Sequence, residues 1–308
     1  MTVYCISHQT VYQYESAASL SYNEARLLPR RVDTPLYVQN AMEAQVQVEP
    51  GWDDQSERVD FFGNRVLFFS IRQPHEKMAV TATSQVEILP KGEWSASAAV
   101  RLQHLAPRPL SWEEVGMHFR NALDAEALAA RPYILPSPYV PQLAKLQRFA
   151  QESFRPQRPL LECARALMEQ ISHEFKFVAG ATDIATPLTD VLKERKGVCQ
   201  DFAHLMVGAL RSHGLPARYV SGYIETMPPP GEEKLVGSDA SHAWCSLFVP
   251  NVGWVDFDPT NNLIPADQHV VLGWGRDFGD VTPLKGVFYG PSAQELDVSV
   301  DMQRVELR

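Results

Sequence analysis

Three residues in the second half of the chain carry side chains that could together perform covalent chemistry. Cys199 supplies a thiol, His242 follows 43 residues later with an imidazole, and Asp258 follows 16 residues after that with a carboxylate. A thiol beside an imidazole that a carboxylate orients is the set of groups used by cysteine nucleophiles. The residue types and their order therefore predict a cysteine-based catalytic triad.

The residues around Cys199 indicate how this thiol could become reactive. Cys199 is expected to open an amphipathic helix that runs to about His213. A helix N-terminus favours a thiolate, and its free N–H groups can face an oxyanion. Gly197 would leave room for a substrate backbone. Asp201 would oppose a thiolate from the same turn, so we expect it to point away and cap the helix or form an ion pair.

A single cysteine in a helix usually packs in the core, and the local sequence leaves both roles open for Cys199. The charged residues that precede it, Lys193 to Lys196, favour partial exposure. The other three cysteines lie in apolar runs, and core packing is the expectation for them. They are Cys5, Cys163 and Cys245.

The carboxylate assignment depends on the register of a predicted β-hairpin that turns at residues 250–253. If Ser246 lies opposite Asp256, Asp258 is diagonal to His242, about 7–8 Å away between backbones, which side chains can bridge. Asp256 would lie two positions further away on the same face. A slip of one residue would turn both aspartates to the other face. The hairpin thus favours Asp258 over Asp256.

Other catalytic and metal-binding signatures are missing from the sequence. It contains no GxSxG, HExxH or GxxxxGK motif, and the glycines of residues 273–279 lack the GxGxxG spacing. A zinc site of Cys199, His204 and His242 is disfavoured, because the first two are about 140° apart around a helix. His204 is instead expected on the helix surface.

The elements that must position these residues fall into three segments. Residues 1–100 contain strand-like runs such as Ala44–Glu49 and predict a β-sandwich-like domain. Residues 101–158 combine a capping-box sequence at Ser111 with many prolines and predict a helical linker region. Residues 159–308 hold the three candidate residues and predict the catalytic domain.

A polar loop rich in proline and glycine, residues 227–239, comes just before the strand of His242. Loops that are held next to a rigid scaffold often carry binding residues. We expect this loop to rim the site and to shape substrate access rather than stability.

Composition limits the functional class. The 308 residues are 45% hydrophobic and 21% charged, which is typical of a globular protein of about two domains. A net charge of −9 without a basic stripe argues against nucleic acid and anionic membranes as partners. The N-terminal residues lack the features of a signal peptide, and no apolar stretch is long enough to span a membrane. Four widely spaced cysteines without a CxxC motif favour the cytoplasm.

Several motifs in this chain resemble the transglutaminase-like superfamily of cysteine enzymes. Four of them surround the candidate residues, two resemble the N-terminal β region of bacterial members, and one resembles their C-terminal motif. They are GVCQDFAH at 197–204, PARYVSGY at 216–223, SHAW at 241–244, DPTN at 258–261, LLPR at 27–30, DFFGN at 60–64 and GRDFGDVTP at 275–283. Together they cover most of the chain.

The resemblance implies a fold and a set of roles. The fold would be α+β, with a papain-like, transglutaminase-like catalytic core preceded by an N-terminal β-sandwich-like domain and a helical linker. Cys199 would be the nucleophile, His242 the general base and acid, and Asp258 the residue that orients the histidine. A further oxyanion donor upstream of Cys199 is implied, without an assigned residue. Animal members depend on calcium, but no EF-hand loop or dense acidic cluster is present, so we expect no metal and no cofactor.

These observations predict an enzyme that transfers an acyl group through a thioester on Cys199. The substrate would be a peptide, isopeptide or glutamine side-chain amide. Hydrolysis, as in a cysteine peptidase, is favoured because transfer to an amine needs a second, water-excluding site that the sequence does not reveal. A protein-glutamine transglutaminase is the enzymatic alternative.

A non-catalytic peptide-binding scaffold is the alternative of another class, and the complete triad argues against it. Bacterial relatives are often linked with peptide-ligase-type enzymes, so association with such an enzyme is expected by analogy.

Overall fold

The computed structural model describes residues 1–92, 102, 105–106, 108–226, 240–290 and 293–305. The predicted rim loop, residues 227–239, lies outside these ranges. The strands are β1 (Thr2–Ala18), β2 (Leu20–Ala25), β3 (Val32–Asp33), β4 (Tyr37–Glu49), β5 (Asp54–Val59), β6 (Arg65–Ile71), β7 (His75–Pro90), β8 (Lys176–Phe177), β9 (Lys196–Gly197), β10 (Ala217–Ile224), β11 (Ala240–Val249), β12 (Gly253–Phe257), β13 (His269–Gly275), β14 (Leu284–Tyr289) and β15 (Gln294–Arg304). The helices are α1 (Trp112–Asn121), α2 (Ala125–Ala130), α3 (Ala144–Ala150), α4 (Leu160–Glu174), α5 (Leu188–Glu194) and α6 (Cys199–Ser212), with short 3₁₀ turns at Arg131–Ile134 and Phe278–Asp280.

Two antiparallel sheets form a β-sandwich from the N-terminal strands. One sheet has the order β15–β1–β7–β4–β3 and the other has the order β14–β2–β6–β5. Along β1, buried Tyr4 and Ile6 alternate with exposed Cys5 and Ser7, as expected for a strand with one face in the core. Apolar residues from both sheets, such as Phe69 and Val80, make a shared core. The β-sandwich-like expectation is confirmed.

The C-terminal end of the chain returns to this sandwich. Strand β14 pairs with β2, and β15 pairs with β1 from Tyr4 opposite Arg304 to Tyr14 opposite Gln294. Both ends of the sequence therefore build the same pair of sheets, and the segment between them forms the remaining layers.

The helical segment begins with the capping box that the sequence predicts. The Ser111 hydroxyl accepts from the Glu114 N–H at 3.3 Å, and the Glu114 carboxylate accepts from the Ser111 N–H at 2.8 Å. These bonds satisfy N–H groups that the first turn of α1 leaves free. Helices α2 and α3 follow in the same segment, as expected for a helical linker region.

The third layer is a sheet of order β12–β11–β10–β13, against which helix α6 packs. Every residue of α6 from Asp201 to Arg211 is buried, so this helix lies at the centre of the molecule. All pairs in the sheet are antiparallel. Helix α6 begins immediately after the short parallel pair of β8 and β9. This arrangement brings the N-terminus of α6 close to the start of β11.

Polar side chains join the sandwich to the third layer. The Gln39 amide donates to the Val271 carbonyl and accepts from the Val271 N–H, both at 2.8 Å. The Asn64 side chain makes the same two-way contact with the backbone of Trp274, at 2.8 and 3.0 Å. The DFFGN motif at 60–64 therefore serves to dock the sandwich on β13. Among the helices described, none combines the length and apolarity needed to span a membrane.

Candidate active site

Cys199 is the first residue of α6, and its thiol is partly exposed. The start of the helix is held by Asp201, whose carboxylate accepts from the Val198 N–H at 2.8 Å and from the Thr182 hydroxyl at 2.6 Å. Asp201 thus caps the helix, and the expectation that it does so is confirmed. Burial raises the pKa of Asp201, which reduces the opposition that its charge would offer to a thiolate in the same turn.

Gly197 serves this cap rather than an open path for substrate. A Cβ atom at position 197 would lie 2.6 Å from the carboxylate oxygen of Asp201. That distance is below any van der Waals contact, so a larger residue would displace the capping side chain. The space that the sequence reserves for a substrate backbone is already filled by Asp201.

His242 lies on β11 opposite Gly222 of β10 and is buried. Its Nε2 atom is 2.8 Å from a carboxylate oxygen of Asp258. A second hydrogen bond joins the same imidazole to Cys199. Because Nε2 faces Asp258, Nδ1 is the nitrogen left for the sulfur. The structure therefore brings together the three residues that the sequence singles out.

The register of the hairpin is the predicted one. Ser246 lies opposite Asp256, and the pairing ends one residue later at Cys245 and Phe257. Asp258 leaves the ladder there and pairs with Leu263 as an isolated bridge. The two aspartates then diverge, because Asp258 meets His242 whereas the Asp256 carboxylate accepts from the hydroxyl of Tyr37 at 2.9 Å.

Asp258 is the centre of a larger group of donors than a triad requires. One carboxylate oxygen accepts from the backbone N–H groups of Thr260 and Asn261, at 3.0 and 3.2 Å. The other is contacted by His242, by the Asn261 amide at 2.8 Å and by Nε2 of His269 at 3.1 Å. The carboxylate is fully buried, so these N–H donors replace the water that would otherwise solvate its charge.

These contacts set the charge state of the site. Burial alone would lower the pKa of His242, but Asp258 and Cys199 outweigh it and raise that pKa to about 10. Burial alone would raise the pKa of Asp258, but His242 and His269 hold it well below its usual range. At neutral pH the pair is therefore an imidazolium beside a carboxylate, and an imidazolium favours a thiolate at the adjacent sulfur.

Two members of this group went unassigned in the sequence. Asn261 belongs to the DPTN motif at 258–261 but had no role, and its amide also lies 3.3 Å from His242 Nε2. His269 gave no signal at all, because it follows Asp258 by eleven residues and reaches it only through the pairing of β13 with β10. A role at the site for the first residue of β13 can be inferred only when the order of the strands in the sheet is known.

The same three side chains are also close enough to hold a metal ion. Ligand atoms of His242, Asp258 and His269 all lie within 4.8 Å of one another. The short contacts among them are hydrogen bonds to one carboxylate oxygen, and Asn261 adds a third donor to it. We therefore interpret this group of side chains as a set of hydrogen-bond donors that stabilises the buried charge of Asp258.

Two expectations about other residues are wrong. His204 is buried rather than on the helix surface, and its Nε2 accepts from the Phe278 N–H at 3.1 Å while its ring stacks on Tyr139. Cys5 is exposed, because the alternation along β1 turns it away from the core. Cys163 and Cys245 are buried as expected, and burial raises the pKa of Cys163 to about 12.

The fold places a thiol at a helix N-terminus beside an imidazole on a strand, and the comparisons with known proteins identify the family that shares this fold. Residues 147–259 match the core model of the transglutaminase-like superfamily, and residues 4–87 match the bacterial transglutaminase-like N-terminal region. An uncharacterized protein of Mycobacterium tuberculosis is 34% identical over 314 residues, which cover 97% of this chain and 92% of the relative. The chain therefore belongs to the transglutaminase-like superfamily.

Two further comparisons give a structural match over the whole chain and a sequence match over part of it. A candidate cysteine protease from Cytophaga hutchinsonii has a crystal structure that matches 100% of this chain and 92% of its own, with a TM-score of 0.72 and 20% identity. At that identity the match shows a shared fold. A protein-glutamine gamma-glutamyltransferase of Pseudomonas aeruginosa is 35% identical over 107 residues, which cover 32% of this chain and 16% of that protein.

Proposed function

We propose that the protein is a thiol-dependent acyl-transfer enzyme that hydrolyses an amide through a thioester on Cys199. The observation that carries this proposal is the continuous hydrogen-bonded series from Cys199 through His242 to Asp258. The three side chains come from a helix N-terminus, a strand and the end of the next strand, so rigid elements fix their geometry.

In the first half of the reaction, the Cys199 thiolate attacks the carbonyl carbon of the amide. The N–H groups that the first turn of α6 leaves without an intrahelical partner are the donors that we expect to stabilise the oxyanion. The C–N bond then breaks, and the His242 imidazolium gives its proton to the departing amine. The product of this half is a thioester, with His242 neutral and Asp258 still ionised.

In the second half, water attacks the thioester and His242 takes one proton from it. The C–S bond breaks, the acid leaves, and the thiolate–imidazolium pair is restored. Asp258 accepts one imidazole N–H throughout, so the other nitrogen stays directed at the reacting atoms.

A cavity of about 330 Å³ lies beside the first turns of α6 and offers a place for the substrate. Gln200 and His204 of the helix line one wall, and Tyr139, Ile184 and Leu188 line the others. Cys199 is not among the lining residues, but Gln200 follows it directly, so we propose this largely apolar cavity as a subsite for a side chain of the substrate.

Transfer to an amine instead of water is a second candidate, which the local match to the P. aeruginosa protein-glutamine gamma-glutamyltransferase favours. Both reactions share the thioester and differ only in what resolves it. All four cysteines are free, which supports a reducing compartment such as the cytoplasm. We also propose that the protein associates with a peptide-ligase-type enzyme, by analogy with bacterial relatives.

The test is mass spectrometry of a peptide library that has been incubated with the purified protein, with and without an added primary amine. Hydrolysis gives cleaved or deamidated peptides in both samples, and transamidation gives amine-labelled peptides only in the second. The Cys199→Ala variant should give neither product, whereas the matched Cys5→Ala variant should behave like the wild type. Products that persist in Cys199→Ala, or the absence of any product from the wild type, would leave a peptide-binding scaffold as the better interpretation.

A further inference from the structure

His269 is a fully buried histidine whose imidazole ring has, within the described residues, one hydrogen-bond partner, and that partner belongs to the candidate site. It is the first residue of β13, which lies on the other side of β10 from β11. Its Nε2 atom is 3.1 Å from the carboxylate oxygen of Asp258 that also contacts His242. Two imidazoles from two different strands therefore converge on a single oxygen atom.

The chemistry of this contact fixes the tautomer of His269. An ionised carboxylate can only accept, so Nε2 of His269 must carry the hydrogen. Its Nδ1 atom is buried and has no hydrogen-bond partner among the residues that the structure describes. The ring instead lies edge to face with Trp244, at 5.1 Å between centroids. A proton on Nδ1 would place an unsolvated charge there, and burial accordingly lowers the pKa of His269.

The competition with His242 for Asp258 also favours the neutral form of His269. Asp258 and the more distant Asp256 favour its protonation, whereas His242, with ring centroids 5.8 Å away, opposes it. One carboxylate cannot hold two imidazolium ions in a buried site, and His242 has the additional contact with Cys199. The proton therefore resides on His242, and His269 remains neutral.

The packing around this contact is tight. A Cβ atom on Gly222 would lie 2.1 Å from the Val270 carbonyl oxygen and 2.6 Å from the ring of Trp244. The glycine lets Trp244 lie across β10 between the two histidine strands. The site that holds His269 is thus shaped by β10, β11 and β13 together, rather than by a loose surface contact.

We propose that His269 is a positioning residue. Its neutral imidazole donates the Nε2–H to Asp258, in addition to the N–H that His242 donates, and so holds that carboxylate in place for His242. This inference rests on the proposed function, in which Cys199 and His242 are the reacting pair. The donated hydrogen bond also withdraws negative charge from Asp258. It therefore moderates how tightly His242 keeps its proton, and His242 must release that proton to the leaving amine.

The first measurement needs no variant of the site. Nitrogen-15 NMR of histidine-labelled wild-type protein separates the two neutral tautomers and the imidazolium. We expect His269 to show the neutral form with hydrogen on Nε2 at and above pH 6.5, where an ordinary histidine is half protonated or less. The His269→Gln variant assigns the signal by its loss. An imidazolium, or hydrogen on Nδ1, would overturn the proposal.

The second measurement compares variants by the pH at which His242 loses its proton, read from the same spectra. His269→Phe keeps a ring but removes the donor, and we expect the midpoint to rise by roughly one pH unit. His269→Gln retains an N–H donor and should return the midpoint close to the wild-type value. His8→Phe is the matched control, since His8 is a buried histidine bonded to Thr10 and Tyr223 away from the site.

An unchanged midpoint in a folded His269→Phe, or an equal shift in His8→Phe, would contradict the proposal. The rate of Cys199 alkylation by iodoacetamide in the wild type, measured alongside, tests the proposed function separately. A slow thiol with a normal His269 signal would count against the function alone. A fast thiol whose His242 midpoint ignores His269 would count against the positioning role alone.

Discussion

Asp258 and Asp256 lie two residues apart at the end of one hairpin, yet they serve two different regions of the molecule. Both are buried, with 0% and 4% of their surface exposed. Asp258 is surrounded by N–H donors from Thr260, Asn261 and two histidines at the candidate site. Among the described residues, the Asp256 carboxylate accepts one side-chain hydrogen bond, from the hydroxyl of Tyr37 in the N-terminal sandwich.

The difference shows that burial alone does not mark a carboxylate for chemistry, whereas its set of partners does. The many N–H donors keep Asp258 ionised and fixed in direction, which a group that must orient an imidazole needs. Within the described residues, one oxygen of Asp256 has no partner at all. We read Asp256 as a link between the sandwich and the third layer, and Asp258 as part of the reaction.

The largest expected effect separates the two aspartates by turnover. Asp258→Asn should lower the turnover number by about 10³–10⁴-fold, because the amide can donate to His242 and select the wrong tautomer. The peptide identified by the mass-spectrometric screen serves as substrate, and circular dichroism checks the fold. If Asp258→Asn were near wild type and Asp256→Asn inactive, the roles that we assign to them would have to be exchanged.

A second test compares a thiol in each region. Cys199 is only partly exposed but contacts His242, whereas Cys5 is exposed on the outer face of the sandwich without such a neighbour. Iodoacetamide near neutral pH should label Cys199 roughly tenfold faster or more, because the thiolate is the reactive form. Peptide mapping after limited labelling measures the ratio. Faster labelling of Cys5 would show that exposure, and not the imidazolium, governs reactivity.

The pH dependence of stability should also follow Asp258. The pKa of His242 is raised from 6.5 to about 10, so its stabilising contribution is complete below 6.5 and is lost as the pH rises towards 10. The pKa of Asp258 is lowered, so its contribution is present above 3.8 and is lost as the pH falls. The ion pair of His242 and Asp258 should therefore stabilise the folded protein most between pH 3.8 and pH 6.5.

Urea unfolding of the wild type and of Asp258→Asn at several pH values measures this contribution. The difference between their free energies of unfolding should shrink steadily from slightly acidic to alkaline pH. A difference that stays constant above pH 6.5, where His242 of the unfolded chain has lost its proton, would mean that His242 is also neutral in the folded protein at neutral pH.

The features that the sequence predicted well depend on neighbours close along the chain. The capping box at Ser111, the cap formed by Asp201 and the pairing of Ser246 with Asp256 each involve residues a few positions apart or across one turn. Hydrogen-bond requirements and strand alternation are sufficient to place them. Within the candidate triad, the pairing of His242 with Asp258 follows from the same hairpin, whereas Cys199, 43 residues before His242, was connected to them by its residue type and by the motifs.

The features that were missed depend on strand order or on faces that the sequence does not distinguish. His269 reaches Asp258 only because β13 lies beside β10, and local patterns do not determine that order. Cys5 stands in the run Val3 to Ile6, which is apolar throughout, so alternation cannot show which face is outside. His204 lies on a helix that is buried on all sides, where the usual polar face is missing.

A smaller effect is expected from Tyr37→Phe, which removes one of the polar links between the sandwich and the third layer. The change removes the donor to a buried carboxylate and should lower the free energy of unfolding by about 1–3 kcal/mol. The rate of Cys199 alkylation should stay the same, because Asp258 and His242 keep their partners. Tyr22→Phe, at an exposed position of the sandwich, is the matched control and should be neutral. A loss of thiol reactivity in Tyr37→Phe would couple the two regions.

The smallest effect should come from Asp256→Asn. The amide oxygen can still accept from Tyr37. The new NH₂ group would replace an oxygen that, like the hydroxyl of Ser246 opposite in register, has no hydrogen-bond partner among the described residues. Arg218 loses a nearby negative charge, but its guanidinium remains close to the rings of Trp254 and Trp274, at 4.2 and 3.6 Å from their centroids. We therefore expect turnover within about twofold of the wild type and a stability loss of about 1 kcal/mol or less. Kinetics and urea unfolding on the same preparation measure both, and a drop in turnover comparable to that of Asp258→Asn would show that the charge of Asp256 acts on the site through the hairpin.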